Sequence, residues 1–247
     1  MSNLKNHVSG ILLMLVCSYS LKAQTNHSYA GEVKKMVAIA KECHNMAYQF
    51  SLKAEFPNGQ EDRAVGEVYA GDKDKIMYNS NTAFVMLYTD KWYYKADHRD
   101  KTVTIVNLTK HLNKDYKKGI ESDYFSGNML NYYLDSIIVR FANVKSLKKS
   151  DDVVTLDMTF IEQFPIKEMT VEYDEKNRLL KSYYSKAFQK WATNEFGKNK
   201  GTTKILICKD FRKVTNSKGY TPEDFFALQK QKVVLKKYKN YKLSTQL

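Results

Sequence analysis

The chain has 247 residues, a formal net charge of +13, 43% hydrophobic residues and 27% charged residues. This composition is typical of a globular protein and excludes a disordered tail. A collagen-like or proline-rich chain is also excluded, because only 10 glycines and 3 prolines are present. We find no repeat of fixed period and no linker, so the sequence predicts a single domain over residues 24–247.

The first 23 residues have the pattern of a secretory signal peptide that is cleaved on export. Lys5 lies in a short polar start, the apolar run Ile11–Cys17 follows, and Ala23 offers a small residue at the cleavage point. The alternative is an uncleaved anchor helix, although the apolar run is shorter than the ~20 residues that a membrane span needs. We therefore expect an exported protein, located in the periplasm or another extracytoplasmic compartment.

Two cysteines, Cys43 and Cys208, remain after that cleavage. In an oxidising compartment they can form one disulfide, but each can equally be a small buried hydrophobic residue. The positive charge is mostly lysine, since arginine supplies 5 of the 40 basic residues. Lysine is a hydrated point charge, whereas base recognition favours arginine, so we expect no nucleic-acid partner.

The predicted elements begin with a helix over residues 29–46, where apolar residues recur at three- and four-residue steps. The period then changes to two, and closely spaced short strands favour an antiparallel meander. A second helix is predicted over 122–135, and Thr221–Pro222 begins a third. The predicted strands cover residues 48–56, 63–70, 75–80, 82–89, 91–96, 101–108, 136–145, 152–161, 166–173, 178–188 and 203–210.

This order of elements predicts an α+β fold. We expect a large curved antiparallel sheet, in effect a half-open β-barrel, with about three helices packed on its concave face. Such an arrangement encloses either a filled core or a cavity between the sheet and the helices.

Residues with catalytic or metal-binding chemistry form no recognisable pattern. The histidines after the signal segment lack ligand spacing, and the sequence contains no HExxH, no CxxC and no glycine-rich phosphate loop. Asp97-His98-Arg99-Asp100 lies in a predicted hairpin turn, where charged residues are ordinary. We therefore expect no enzyme, no metal site and no cofactor.

The middle strands carry more apolar residues than a sheet with one solvated face needs. In the predicted strand 82–89, Val85 and Leu87 face one way, whereas Phe84 and Met86 face the other. Two explanations stay open: strands covered on both faces, or an apolar cavity for an acyl chain or a partner's hydrophobic segment. The candidate cavity residues are Phe84, Met86, Tyr88, Trp92, Tyr94, Phe125, Met129, Met158 and Phe160.

The C-terminal segment 230–247 is rich in lysine, and no acidic residue occurs from Phe225 to Leu247. This segment can be a solvated face, or it can contact anionic lipid headgroups or an acidic partner. The lysines suited to a membrane-surface contact are Lys230, Lys232, Lys236 and Lys237.

Three motifs follow the N-terminal helix: the strand Gly66–Gly71, the aromatic hairpin Tyr88–Tyr94 and the later hairpin Val171–Leu179. Their layout over residues 29–190 resembles the LolA/LolB-like superfamily of periplasmic lipoprotein carriers. The resemblance implies an unclosed barrel whose hydrophobic concave face is covered by helices.

We therefore expect an exported, non-enzymatic binding protein whose apolar face receives an acyl chain, a lipoprotein anchor or a hydrophobic partner segment. The alternative is a structural or accessory subunit of a cell-envelope complex with a filled core. The two functions differ in the volume enclosed between the sheet and its helices.

Overall fold

The computed structural model describes most of the chain after residue 28. The signal-peptide prediction, Cys43 and the predicted helix at 122–135 lie outside the described residues. The described ranges are 29–42, 45–71, 76–110, 138, 141–162, 164–190, 201–230 and 232–247.

Most of the described residues are in β-strands. The helices are α1 (Ala30–Glu42) and α2 (Pro222–Phe225). The strands are β1 (Met46–Glu55), β2 (Glu61–Gly71), β3 (Ile76–Asn81), β4 (Phe84–Tyr88), β5 (Trp92–Asp97), β6 (Thr102–Asn107), β7 (Ala142–Ser150), β8 (Val153–Phe160), β9 (Ile166–Asp174), β10 (Leu179–Lys190), β11 (Gly201–Lys213), β12 (Phe226–Gln229), β13 (Lys232–Leu235) and β14 (Lys242–Gln246).

The predicted antiparallel sheet is confirmed. Its twelve strands lie in the order β14-β6-β5-β4-β3-β2-β1-β11-β10-β9-β8-β7. All neighbours pair antiparallel except β14, which runs parallel to β6. The two edge strands, β14 and β7, do not pair with each other, so the sheet of the described residues is curved but not closed into a barrel.

The prediction of about three helices is not supported. α1 ends at Glu42 rather than at residue 46, because Asn45 turns the chain with a positive φ of 54° and Met46 already pairs with Ala70 in the sheet. α2 ends after one turn, since Phe226 adopts an extended conformation and enters β12. The β-branched residues that follow in β13 favour strand pairing over a longer helix.

The strand predicted from residue 136 is shifted: β7 begins at Ala142 and extends to Ser150. A tight turn, in which Asp151 has a positive φ of 53°, fixes its pairing with β8. Strands β12, β13 and β14, which are formed by the lysine-rich C-terminal segment, were not predicted.

One face of the sheet carries α1, and we call it the inner face. Val33, Met36 and Val37 recur along one side of α1 and pack on this face. The helix and the sheet thus share one core. The buried inner-face residues of the strands include Met46, Tyr48, Val68, Met77, Val154, Leu156, Met158, Met169, Val171, Tyr173, Leu180, Tyr183, Cys208 and Phe211.

Cys208 is a free thiol on the inner face, opposite Phe50 of β1. Burial raises the pKa of this thiol to about 12. The residue thus acts as a small hydrophobic side chain in the core.

The opposite face of the sheet, called the outer face, is apolar over β3–β6. The segment 220–247 covers it: the Tyr220 ring stacks on Tyr69 at 4.3 Å, and the Phe225 ring lies 5.0 Å from Tyr94. The apolar excess in these strands is therefore explained by cover on the outer face as well as burial on the inner face. The buried outer-face residues are Ala47, Tyr69, Ile76, Val85, Leu87, Trp92, Tyr94, Ala96, Val103 and Ile105.

Candidate functional site

The inner face changes in exposure from the end near α1 to the opposite end, which we call the distal end. Near α1, Val171 and Tyr183 are almost fully buried. At the distal end, Phe50, Leu52 and Leu206 are only half-buried, although they lie on the same face. Because Leu52 pairs directly with Leu206, these side chains form a continuous apolar surface across β1 and β11.

A groove of about 480 Å³ continues this surface at the distal end. Its apolar side is formed by Leu52, Ala54, Ala64 and Ala83. Ala64 pairs with Leu52, so the groove lies on the inner side of the β1–β2 hairpin. Its volume is within the ~300–1,000 Å³ that is typical of small-molecule sites.

Gly66 and Asn81 lie close in sequence to Ala64 and Thr82, which line the groove. They pair between β2 and β3, and a Cβ atom at Gly66 would clash with the Ser80 carbonyl and with Asn81. The Asn81 side-chain oxygen accepts the backbone N–H groups of Ala83 (2.8 Å) and Phe84 (3.1 Å). This turn holds Ala83 at the groove. Position 66, which pairs with Asn81, must be glycine because a side chain there would clash with the turn.

The rim of the groove is charged and is formed by Asp62, Arg63, His98 and Arg99. Arg63 is 70% exposed and pairs with Glu61 at 3.0 Å. Each guanidinium carries a planar fork of donors that suits a carboxylate or a phosphate. The groove thus combines an apolar side with two cationic groups.

The Asp97–Asp100 motif is a turn, as the sequence indicates. The Asp97 carboxylate accepts the backbone N–H groups of Arg99 (3.0 Å) and Asp100 (3.2 Å). These bonds hold the pKa of Asp97 below its usual value. His98, in the same turn, lies 3.1 Å from the Tyr241 hydroxyl through its Nδ1, which joins the rim to the C-terminal segment.

A polar cluster attaches α1 to the sheet. Tyr173 donates its hydroxyl to Glu32 at 2.8 Å, and Lys35 pairs with Glu175 at 2.6 Å. Lys149 lies 3.3 Å from the Glu32 carboxylate. Burial raises the pKa of Glu32, but the hydrogen bonds from Tyr173, Lys35 and Lys149 outweigh it and lower the pKa overall.

The predicted cavity residues lie on two faces. Phe84, Met86 and Tyr88 lie on the inner side of β4, where Met86 packs beside Tyr93. Met158 is buried in the inner core, and Phe160 is half-buried against it. These five residues thus share the inner face.

Trp92 and Tyr94 lie on the outer face and are packed under Phe225 and Phe226. They are therefore not brought together with the inner-face candidates, because strand alternation in β5 directs them to the opposite side. Phe125 and Met129 lie outside the described residues. The sequence-based candidates did not include Leu52, Ala54 and Ala64, which belong to regular alternating strands and stand out only through their place at the distal end.

Within the described ranges, no three His, Cys, Asp or Glu side chains are grouped so that they could hold a metal ion. The helices of the same ranges are all too short or too polar to cross a bilayer.

No protein-family model matches the sequence, and no curated protein matches it significantly. Solved structures that are similar to this one include an uncharacterized conserved protein from Thermus thermophilus. That protein has 6% sequence identity and a TM-score of 0.42, over 87% of this chain and 99% of its own.

A LolA superfamily protein from Nitrosomonas europaea matches with 12% identity and a TM-score of 0.31, over 77% of this chain and 98% of its own. An outer membrane lipoprotein-sorting protein domain from Vibrio parahaemolyticus matches with 11% identity and a TM-score of 0.28, over 78% and 96%. The LolA superfamily that the sequence resembles is thus named among the similar structures, at TM-scores that carry no conclusion about the family of this chain.

Proposed function

We propose that this protein is an exported, non-enzymatic binding protein of the periplasm that holds an acyl chain or a lipoprotein anchor on its inner face. The observation that carries the proposal is the half-buried apolar surface of Phe50, Leu52 and Leu206, which continues into a groove of about 480 Å³. An acyl chain needs an apolar surface of this kind, and each buried CH₂ contributes about 0.8 kcal/mol.

The groove also offers a place for the polar end of such a ligand. Arg63 and Arg99 lie on its rim, beside the apolar side formed by Leu52 and Ala64. A fatty acid or a phospholipid carries an anionic group next to its chain, and a guanidinium binds a carboxylate or phosphate with two parallel hydrogen bonds. The proposed ligand is therefore an amphiphile with an anionic head.

The Asp97–Asp100 turn, which places His98 and Arg99 on the rim, also supports a binding role rather than catalysis. The Asp97 carboxylate accepts hydrogen bonds within this turn, and His98 contacts Tyr241. General acid–base catalysis needs titratable groups that converge on one reacting atom.

Two measurements test the proposal. Native mass spectrometry of gently purified protein should detect added lipid mass, and a fluorescent fatty acid should bind and be displaced by unlabelled fatty acid. A protein with no lipid mass and no uptake of the probe contradicts the proposal.

Leu206 and Ile207 offer a matched pair for the same assay, since they are adjacent in β11 and face opposite sides. Leu206→Asp introduces a charge into the inner face, and we expect it to weaken probe binding at least tenfold. Ile207→Asp, at a position that is 42% exposed on the outer side, should change binding less than twofold. Equal effects of the two variants would contradict an inner-face site.

Ala64→Trp provides a second variant that adds no charge. It fills the groove beside Leu52, so probe binding should fall while the folded protein keeps its melting temperature within a few degrees. Unchanged binding would show that the groove is not part of the site.

A filled structural subunit of a cell-envelope complex is the second candidate. The observation that favours it is the cover that the segment 220–247 forms over the outer face of β3–β6, because a packed interior suits a scaffold. The two candidates differ in the lipid assays above, since a scaffold takes up no probe.

A further inference from the structure

The β12–β13 hairpin, residues 226–235, displays apolar side chains to solvent. Phe226 is buried against Trp92 and holds one end of the hairpin on the outer face. Leu228 is 49% exposed and Val234 is 40% exposed. The two side chains lie on opposite sides of the hairpin, because Leu228 pairs with Val233 and Val234 pairs with Ala227. Leu228 shares the side of the buried Phe226, so Val234 is the exposed apolar side chain on the side that faces solvent.

The segment that forms this hairpin is rich in lysine. Lys230 lies in the hairpin turn with a positive φ of 47°, and Lys232 begins β13 on the same side as Val234. Both are exposed, and neither has a hydrogen bond or an ion pair with another described residue. The lysines that follow in the sequence are Lys236, Lys237, Lys239 and Lys242, and no acidic residue follows Asp224 up to residue 247.

Two of the lysines also brace the hairpin. Lys236 donates to the Glu223 carbonyl at 2.6 Å, and the Lys237 Nζ lies 4.2 Å from the Phe225 ring centroid. The Lys236 N–H donates to the Phe225 carbonyl at 2.8 Å. The hairpin is therefore fixed on the sheet and presents its charges without further ordering.

The composition of this surface indicates the chemistry of its partner. Protein interfaces are depleted in lysine and enriched in arginine and aromatic residues, whereas the exposed surface here has lysine and aliphatic side chains. A lysine is a flexible point charge whose long stem reaches into a headgroup layer, and an exposed valine inserts at the boundary with the acyl chains. Anionic headgroups provide a diffuse negative field that such charges follow.

We propose that the β12–β13 hairpin docks the protein on the surface of a bilayer that contains anionic phospholipid, with Lys230 and Lys232 at the headgroups and Val234 at the apolar boundary. This proposal does not depend on ligand binding at the inner face. The membrane would then contact the protein on the outer face of the sheet, opposite to the ligand site proposed on the inner face.

Sedimentation of the purified protein with vesicles tests this proposal. Vesicles of phosphatidylcholine with 30% phosphatidylglycerol should bind the protein at low salt, and vesicles of phosphatidylcholine alone should not. Binding should fall by about fivefold for each lysine removed, so Lys230→Gln combined with Lys232→Gln is expected to weaken it at least tenfold. Raising the salt to 0.5 M should release the native protein.

The matched control is Lys181→Gln combined with Lys209→Gln. These lysines are equally exposed, lie outside the hairpin and remove the same charge. The control should bind within twofold of the native protein, whereas an equal loss in both double variants would show that only net charge matters. Val234→Ser should weaken binding and leave the salt dependence in place.

Absence of binding to the anionic vesicles would overturn the proposal, and so would unchanged binding by the hairpin variants. Capture of an acidic protein through the same lysines, without vesicle binding, would identify the surface as a protein interface instead. Melting temperatures of all variants should stay within a few degrees of the native value, because the substituted side chains are exposed.

Discussion

The two halves of the sheet hide their apolar residues in different ways. In β7–β11, buried and solvated residues alternate along most of each strand: Leu156 is fully buried on the inner face, whereas Asp157 on the outer side accepts hydrogen bonds from Ser146 (2.6 Å) and Thr170 (2.8 Å). In β5, by contrast, Tyr93 and Tyr94 are both buried, although they face opposite sides. One half has a solvated face, and the other half has none.

The difference comes from a distant part of the chain. The outer face of β3–β6 is covered by residues 220–247, and the outer face of β7–β11 lacks such a cover among the described residues. A strand with apolar residues on both sides therefore indicates that something covers each of its two sides. The sequence alone does not distinguish a covering segment of the same chain from a bound ligand.

The variant with the largest expected effect tests whether the segment 220–247 is part of the hydrophobic core. Phe225 is 1% exposed and lies against Tyr94, so Phe225→Ala should lower the free energy of unfolding by about 3–5 kcal/mol. Ile207→Ala, on the solvated outer side of β11, should change it by less than about 0.5 kcal/mol. Urea unfolding measures both. Similar values would mean that the two halves do not differ as described.

A smaller effect concerns how α1 is attached to the one-faced half. Glu32 has a lowered pKa, so its contribution to stability is present above the ordinary value of 4.5 and is lost as the pH falls through the folded-state pKa. Glu32→Gln should cost about 1 kcal/mol at pH 7 and much less near pH 3.

Urea unfolding at the two pH values checks this prediction. Glu168→Gln, on an exposed site of β9, is the control and should have little effect at either pH. If the difference between the native protein and the Glu32 variant stays constant with pH, the carboxylate does not act through its charge.

The smallest expected effect is at Tyr94. Its hydroxyl is buried and has no hydrogen-bond partner among the described residues, and burial raises its pKa. Tyr94→Phe should therefore be neutral or stabilise the fold by up to about 1 kcal/mol. Tyr173→Phe should instead destabilise it, since the Tyr173 hydroxyl donates to Glu32. Thermal melting of both variants tests this prediction. A clearly lower melting temperature for Tyr94→Phe would mean that the Tyr94 hydroxyl has a hydrogen-bond partner.

Alternation predicted β1–β6 and β8–β10 well, because each of them pairs with a neighbour through a short connection. The pairing of β1 with β11, in which Phe50 faces Cys208, was not predictable, since no local turn encodes it. The same limit applies to the site. Phe84 and Met86 were placed on one side of β4 by their spacing, but Trp92 could be assigned to the outer face only once its cover was known.

The C-terminal segment differs from its prediction for a related reason. Thr221 and Pro222 begin a helix as predicted, and Asp224 accepts the Thr221 hydroxyl at 2.7 Å. A good start does not fix the length of a helix, because the aromatic pair that follows gains more by packing on Tyr94 and Trp92.

The parallel pairing of β14 with β6 has a consequence for the order of assembly. Synthesis proceeds from the N-terminus, so residues 242–246 emerge after every other described strand and long after their partner Thr102–Val106. Until then the aromatic outer face of β3–β6 stays exposed to water and able to aggregate. A chaperone that shields this face would act in the interval before the last strand is made.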